Sequence, residues 1–221
     1  MKKFRRQIIY DLRADRNQSF SIPMEWMVLH SICMIMNLKY PYIDLYERSL
    51  QFFLYSSSRK NWWFSKCIWI VINTLIYYSL FFISAVGTTL FFGSIEDITI
   101  QDGAICFQEF IELTFEKKLL LLYLLPILIS ITIGMIVLFC ALFWNPLGAM
   151  MIGIAIYIAS VYWENMILIG NYSMIIRNIW IKGEGDIYPI KGILFCILIM
   201  LFIIIVGRCL IQTKEVYKKG R

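Results

Sequence analysis

The stretch LLLLYLLPILISITIGMIVLFCALFWNPLGAMMIGIAIYIASVYW at residues 119–163 decides the fold, because it holds no charged side chain. One helix needs about 20 apolar residues to cross the hydrocarbon core of a bilayer, so this stretch is long enough for two crossings. Asn145 and Pro146 form the strong helix breaker near its middle. We therefore predict two transmembrane helices, 119–144 and 147–163, joined by a tight turn.

Two further stretches have the same character. Residues 67–93 carry no charge, and residues 192–212 carry only Arg208, close enough to the end of the stretch for its side chain to reach the membrane surface. In lipid every backbone amide must be hydrogen-bonded within its own helix, and Pro126 in the second span is tolerated as a kink. The sequence therefore predicts an all-α fold, a polytopic membrane helix bundle with four transmembrane helices, forming a single membrane domain over 1–221.

The overall composition agrees with a lipid environment. Hydrophobic residues make up 60% of the chain and charged residues 16%, whereas soluble domains have about 45 to 50% and about 25%. The formal net charge of +6 comes from basic residues that flank the apolar stretches. They form no stripe interleaved with exposed aromatic residues, which argues against nucleic-acid binding.

The distribution of basic residues predicts the orientation. Most of the 21 lysines and arginines lie in residues 1–66 or after residue 212, whereas the loop 94–118 has six acidic residues against Lys117 and Lys118. Cytoplasmic loops carry the excess of Lys and Arg. We expect a multi-pass protein of the plasma membrane with both termini in the cytoplasm, and with 94–118 and 164–191 as extracellular segments.

The first 66 residues contain three further segments. We expect residues 1–23 to form a basic amphipathic helix on the cytoplasmic surface, or to serve only as a topology signal. Residues 24–38 are apolar but include Glu25 and His30, and their short uncharged part predicts a short or re-entrant helix. Residues 42–55 are too charged to span and predict a cytoplasmic helix that binds a partner protein or caps its own bundle. Trp62 and Trp63, among basic residues, indicate an interface belt.

Two patterns in the second half concern packing and the extracellular side. Ala149, Gly153, Ala155 and Ala159 give two small-xxx-small pairs, which predict a helix-packing face within the chain or against a second copy. In residues 164–191, two short apolar pieces are separated by a break at Gly170 and Asn171. This indicates a dipping element that shapes an outer gate, or an ordinary interfacial helix. The candidate gate residues are Glu164, Gly170, Asn171 and Arg177.

The sequence offers little for catalysis. It has a single histidine, no metalloprotease, nucleophile-elbow or phosphate-loop motif, and six cysteines without a CxxC pair. Glu25 and His30 are a weak candidate for a proton relay. We predict no catalytic, cofactor-binding or metal-binding residues, and thus no enzyme.

Three segments resemble the membrane subunit of a type-2 ABC exporter, a permease of the kind found in Gram-positive bacteria. They are SSSRKNWWFSKCIWI at 56–70, WNPLGA at 144–149 and GNYSMIIRN at 170–178, and the resemblance covers roughly residues 40–221. This chain differs from the family pattern in one respect. The family usually has two spans before its coupling helix, and this chain offers only residues 24–38.

The resemblance implies an export permease that contains no ATPase. A separate ATP-binding cassette subunit would bind ATP, and a second permease copy or a paralogue would complete the transporter in the lipid bilayer. The segment 42–55 would be the coupling helix, with Asp44, Glu47 and Arg48 as the contacts. A peptide or lipid-like substrate would fit the family. The alternatives are a non-transporting accessory or immunity protein and, less well supported by the residues, a membrane-embedded enzyme.

Overall fold

A computed structural model describes residues 24–46, 59–92, 112–183 and 185–213. All regular structure in these ranges is helical. The helices are α1 (Met24–Tyr46), α2 (Arg59–Phe92), α3 (Phe115–Leu119), α4 (Leu125–Ala141), α5 (Pro146–Tyr162), α6 (Ile179–Lys182) and α7 (Pro189–Thr213). A π-helical turn (Leu120–Leu124) and two 3₁₀ turns (Ile169–Ser173 and Ile175–Arg177) complete the described fold.

Within the described ranges, three helical segments are long and apolar enough to cross a membrane: Asn61–Thr88, Phe115–Ala141 and Pro189–Ile211. The all-helical membrane architecture expected from the sequence is therefore supported. Four spans are not confirmed, because the apolar helix Pro146–Tyr162 has 17 residues. At 1.5 Å per residue it is about 25 Å long, less than the hydrocarbon thickness of about 30 Å.

Helix α1 is longer than the short helix expected at 24–38. It continues without interruption through Pro41 to Tyr46 and so includes the beginning of the segment 42–55. A proline removes one backbone hydrogen bond, and a helix can pass through it with a kink. The rest of the segment 42–55 lies outside the described residues, as do residues 1–23 and most of the loop 94–118.

Helix α2 begins at Arg59, before the predicted start at residue 67, and its 34 residues extend about 50 Å. The side chains of Trp62 and Trp63, which the sequence predicted as an interface belt, are buried in the bundle instead of exposed on its surface. Trp63 reaches the last helix and donates a hydrogen bond from Nε1 to the Ile204 carbonyl at 3.2 Å.

Proline residues set the geometry around α4 and α5. The π turn ends two residues before Pro126, which has no backbone N–H to bond the preceding turn, so the widened turn accommodates the proline. The helix break before α5 falls at Asn145 and Pro146. The Asn145 side chain accepts a hydrogen bond from the Gly148 amide at 2.7 Å, which caps the new helix.

The core of the bundle is built around α4. This helix packs against α1, α2, α5 and α7, and most of its residues are buried. An apolar helix without a polar face suits a central position. By contrast, α2 and α7 each expose many large apolar side chains at the surface of the bundle.

The contacts between helices define two ends of the bundle. Helix α1 is antiparallel to α2, since the Tyr77 hydroxyl bonds the Leu29 carbonyl whereas Asn37 bonds Thr74. The start of α2 meets the final part of α7 at Ile204. We call the end with the start of α2 and the last turns of α1 and α7 the basic end, because Arg59, Lys60 and Arg208 are there in the sequence. The first turn of α1 lies at the opposite end.

Candidate functional site

The candidate outer gate folds as a broken segment, which we define as residues 163–183. It consists of two 3₁₀ turns and the short helix α6 instead of one continuous helix. Residues 169–174 are all buried. Irregular backbone at membrane depth is tolerated when protein surrounds it. The segment lies opposite the basic end, where it contacts the start of α1, the end of α5 and the start of α7.

Arg177 joins this segment to the end of α5. Its guanidinium donates hydrogen bonds to the carbonyls of Ser160 and Val161, the latter at 2.7 Å, and to Oδ1 of Asn171. The last carbonyls of a helix have no partner within the helix, and a cation there also interacts favourably with the helix dipole. Arg177 therefore caps α5 at its C-terminal end.

The charged side chain of Arg177 is largely buried. Burial lowers the pKa of the guanidinium from its ordinary value, and the nearby Glu164 carboxylate raises it. Glu164 itself is exposed. Since the ordinary pKa of arginine lies far above neutral, the side chain remains a cation at physiological pH.

Asn171 closes the loop between α5 and the broken segment. Its Nδ2 donates to the carbonyls of Trp163 and Asn165, both at 2.8 Å, while its Oδ1 accepts from Arg177. The side chain is fully buried. These three partners all belong to the broken segment, so the arrangement favours a structural role for this asparagine.

Gly170 packs the segment against α5, and Ser173 attaches it to α1. A Cβ atom at Gly170 would lie 2.5 Å from Oγ and 2.7 Å from Cβ of Ser160, so only glycine fits without displacement. Ser173 Oγ accepts a hydrogen bond from Trp26 Nε1 at 3.1 Å and donates to the Gly170 carbonyl at 2.7 Å. The first turn of α1 is thereby held against the segment.

Tyr172 provides the contact with α7. A Cβ at Gly192 would lie 2.5 Å from the Tyr172 ring, so the tyrosine packs directly on the helix backbone. The Tyr172 hydroxyl donates to the Met166 carbonyl at 3.0 Å. With α1, α5 and α7 all engaged, the broken segment is fixed in place by close contacts on three sides.

The close approach at Gly170 gives a first testable prediction. Changing Gly170 to alanine should destabilise the detergent-solubilised protein by about 1 to 3 kcal/mol, because Ser160 must move to admit the methyl group. Thermal or denaturant unfolding followed by circular dichroism measures the change. The matched control is Gly87→Ala in α2, where no heavy atom lies within 4 Å of the added Cβ. Equal effects of the two substitutions would contradict the close packing.

The four residues of the expected helix-packing face point in different directions. Ala149 and Gly153 are buried, and a Cβ at Gly153 would overlap the side chains of Met34 and Val137, so this pair packs within the chain. Ala155 is exposed and Ala159 is half-buried. The contacts to α1 and α4 therefore involve the first pair.

The candidate coupling contacts are only partly within the described structure. Asp44 lies in the last turn of α1, at the basic end. Glu47 and Arg48 lie outside the described residues.

A polar cluster inside the bundle was not anticipated as a unit from the sequence. Asn73 donates to Oδ1 of Asn37 at 2.7 Å, and Asn37 donates to Thr74 at 2.9 Å. The Tyr78 hydroxyl is 2.7 Å from the Ser130 hydroxyl. Asparagines within apolar stretches are a signal for such interhelical bonds, and the cluster connects α1, α2 and α4.

His30 lies beside this cluster in a box of aromatic rings. Its ring centroid is 4.7 Å from Trp26, 5.3 Å from Tyr157 and 6.2 Å from Tyr78. Nδ1 is 2.9 Å from the Trp26 carbonyl and must carry a proton to bond it, whereas Nε2 has no hydrogen-bond partner among the described residues. The Glu25 side chain lies outside the described part of the structure, so the Glu25–His30 pair remains a prediction.

No group of three His, Cys, Asp or Glu side chains in the described ranges is arranged to hold a metal ion. The comparisons with known proteins give no match, since no family model, no curated protein and no solved structure is significantly similar to this chain.

Proposed function

We propose that this chain is the membrane-spanning permease subunit of an ATP-driven exporter. The observation that carries the proposal is the broken segment. Residues 170–178, GNYSMIIRN, are among those that resemble exporter permeases, and most of them are buried between the ends of three helices, opposite the basic end. A fixed, non-spanning element at this position suits the extracellular closure of a transport route.

The interior of the described bundle favours a route between two subunits. Trp26, Tyr78 and Tyr157 fill the space between α1, α2, α4 and α5 around His30. A substrate, for which a peptide or lipid-like molecule is our proposal from the resemblance, would therefore pass between this chain and a second permease copy or paralogue. The exposed apolar faces of α2, α5 and α7 are available for that pairing or for lipid.

The polarity of the bundle supports the proposed mechanism of energy coupling. Asp44 lies at the basic end, which the positive-inside rule assigns to the cytoplasm. A separate ATP-binding cassette subunit binding at residues 42–55 would contact the ends of α1 and α2. Closure of the ATPase pair would then move these helices against α4, with which both are packed.

The test is co-purification with an ATP-binding cassette protein encoded beside this chain. We expect a stable complex in detergent and ATPase activity after reconstitution into vesicles. Changing Asp44, Glu47 and Arg48 together to alanine should reduce the recovered ATPase about tenfold, since contact residues at the centre of an interface dominate affinity. The control changes the exposed Glu112 and Lys191 to alanine. Failure of the unaltered chain to bind the ATPase would overturn the proposal.

The filled interior also favours a second candidate, a non-transporting accessory or immunity protein. Such a protein needs no route through its bundle and would bind a membrane partner through its exposed faces. The same experiment separates the two functions, because this candidate requires no ATP-binding cassette subunit.

A further inference from the structure

A surface groove of about 280 Å³ opens between α2 and α7 at the basic end. Its lining comprises Asn61, Trp63 and Phe64 from α2 and Ile204 and Arg208 from α7. A water molecule takes about 30 Å³ in the liquid, so the groove has room for a much larger group. The broken segment is at the other end of the bundle, and this groove therefore lies apart from the candidate gate.

The floor of the groove is formed by a close contact between the two helices. Trp63 is 1% exposed and donates a hydrogen bond to the Ile204 carbonyl. A Cβ at Gly207 would overlap the Trp63 ring, so the indole lies directly on the α7 backbone. The base of the groove is therefore an aromatic ring that is held in place by contacts with both helices.

The walls change from polar to apolar along the bundle axis. Since α2 and α7 run in opposite directions here, Asn61 and Arg208 both lie nearer the basic end than Phe64 and Ile204 do. Three or four residues of helix separate the polar from the apolar members, which is about 5 to 6 Å. Asn61, Phe64 and Arg208 are exposed at the surface.

This gradient has the polarity of a phospholipid in the adjacent leaflet. An exposed guanidinium and an amide at the aqueous end can hold a phosphate, for which arginine offers a forked pair of donors. Apolar side chains deeper in the groove suit an acyl chain. The surrounding sequence is also basic, with Arg59 and Lys60 at the start of α2 and four Lys or Arg residues after Thr213. Basic pockets between membrane helices favour anionic headgroups.

We propose that this groove binds one anionic phospholipid of the leaflet at the basic end, with its phosphate on Arg208 and Asn61 and an acyl chain along Phe64 and Ile204. The bound lipid would hold α2 and α7 together at the site where Trp63 joins them. The proposal does not depend on transport, since it requires only that both helices lie in a membrane.

The experiment titrates the full-length purified chain with phosphatidylglycerol or phosphatidylcholine in neutral detergent and counts bound lipids by native mass spectrometry. We expect one phosphatidylglycerol to bind about tenfold more tightly than phosphatidylcholine. Arg208→Gln should remove this preference, and Asn61→Leu should weaken it about threefold. Both residues are exposed, and unfolding temperatures in neutral detergent verify that the variants remain folded.

The control is Lys191→Gln, which removes an exposed positive charge from the opposite end of the same helix. It should leave the preference unchanged. Equal binding of the two lipids by the unaltered chain would overturn the proposal, as would an Arg208→Gln variant that keeps the preference. The same loss in both variants would indicate diffuse attraction to the basic chain and would also overturn it.

Discussion

Replacing Arg177 by methionine is expected to destabilise the protein by about 3 to 5 kcal/mol, although the new side chain has a similar length. The substitution leaves the carbonyls of Ser160 and Val161 and Oδ1 of Asn171 without their donor. Each buried polar group that loses its partner costs about 1 to 3 kcal/mol, and the three costs are not fully additive. Unfolding of the purified chain in neutral detergent, followed by circular dichroism, measures the loss.

The control for this substitution is Arg208→Met, which removes an exposed arginine. In neutral detergent without phospholipid it should change the stability by no more than about 0.5 kcal/mol. Arg177→Lys should fall between the two, because an ammonium keeps the charge but lacks the fork that reaches several acceptors. If Arg177→Met were as stable as Arg208→Met, the guanidinium would not be the cap of α5.

Replacing Trp63 by alanine is expected to cost about 3 to 5 kcal/mol, the usual range for removing a buried large aromatic side chain. The indole is packed on Gly207, bonds the Ile204 carbonyl and lies with its centroid 6.5 Å from that of Phe139. Its removal leaves a cavity where α2, α4 and α7 meet. The midpoint of unfolding in a denaturing detergent should fall accordingly.

Trp144 provides a matched control for Trp63, since its side chain is 60% exposed. We expect Trp144→Ala to have a much smaller effect on the unfolding midpoint. Trp63→Phe should fall between the two, because it keeps an aromatic ring but loses the bond to Ile204. Equal losses for the two alanine variants would show that Trp63 does not stabilise the helix junction.

The helices themselves were predictable because lipid imposes a simple rule on the sequence. In lipid, the backbone of a stretch without charges must form its hydrogen bonds within its own helix. This rule predicted the helical segments within 67–93, 119–144 and 192–212. Asn145 and Pro146 fixed the helix break, since a side-chain cap and a missing N–H act locally. The length of each apolar helix was less predictable, because packing and not hydropathy determines where a helix ends.

Helix α1 differs from the sequence-based prediction because its surroundings could not be inferred. The short uncharged part of residues 24–38, next to Glu25 and with His30 within it, argued against a full span. In the structure α1 continues to Tyr46, and His30 is enclosed between rings contributed by α1, α2 and α5. As a result, Met24 and Thr213 lie at opposite ends of the bundle. Residues 1–23 are outside the described ranges, so the prediction that both termini are cytoplasmic remains a prediction.

The sequence indicated the candidate gate through a break in its apolar pattern, whereas the structure holds the gate in place through the contacts of Arg177. The break at Gly170 and Asn171 indicated irregular backbone, and the structure places both residues in a buried 3₁₀ turn. The cap that Arg177 supplies depends on carbonyls 16 and 17 residues earlier in the chain. No local sequence pattern signals that relation, because it arises only when the segment folds back on α5.

The junction of Trp63 with α7 has a consequence for biosynthesis. Its hydrogen bond joins residues separated by 141 positions, so α2 leaves the ribosome long before its partner exists. Until α7 is inserted, the Trp63 indole has no partner on that helix and lies at the surface of an incomplete bundle. A tryptophan near the headgroups is well tolerated in that position. The contact between α2 and α7 can therefore form only after both helices have been synthesised, and truncation before Gly207 should leave Trp63 without its partner on α7.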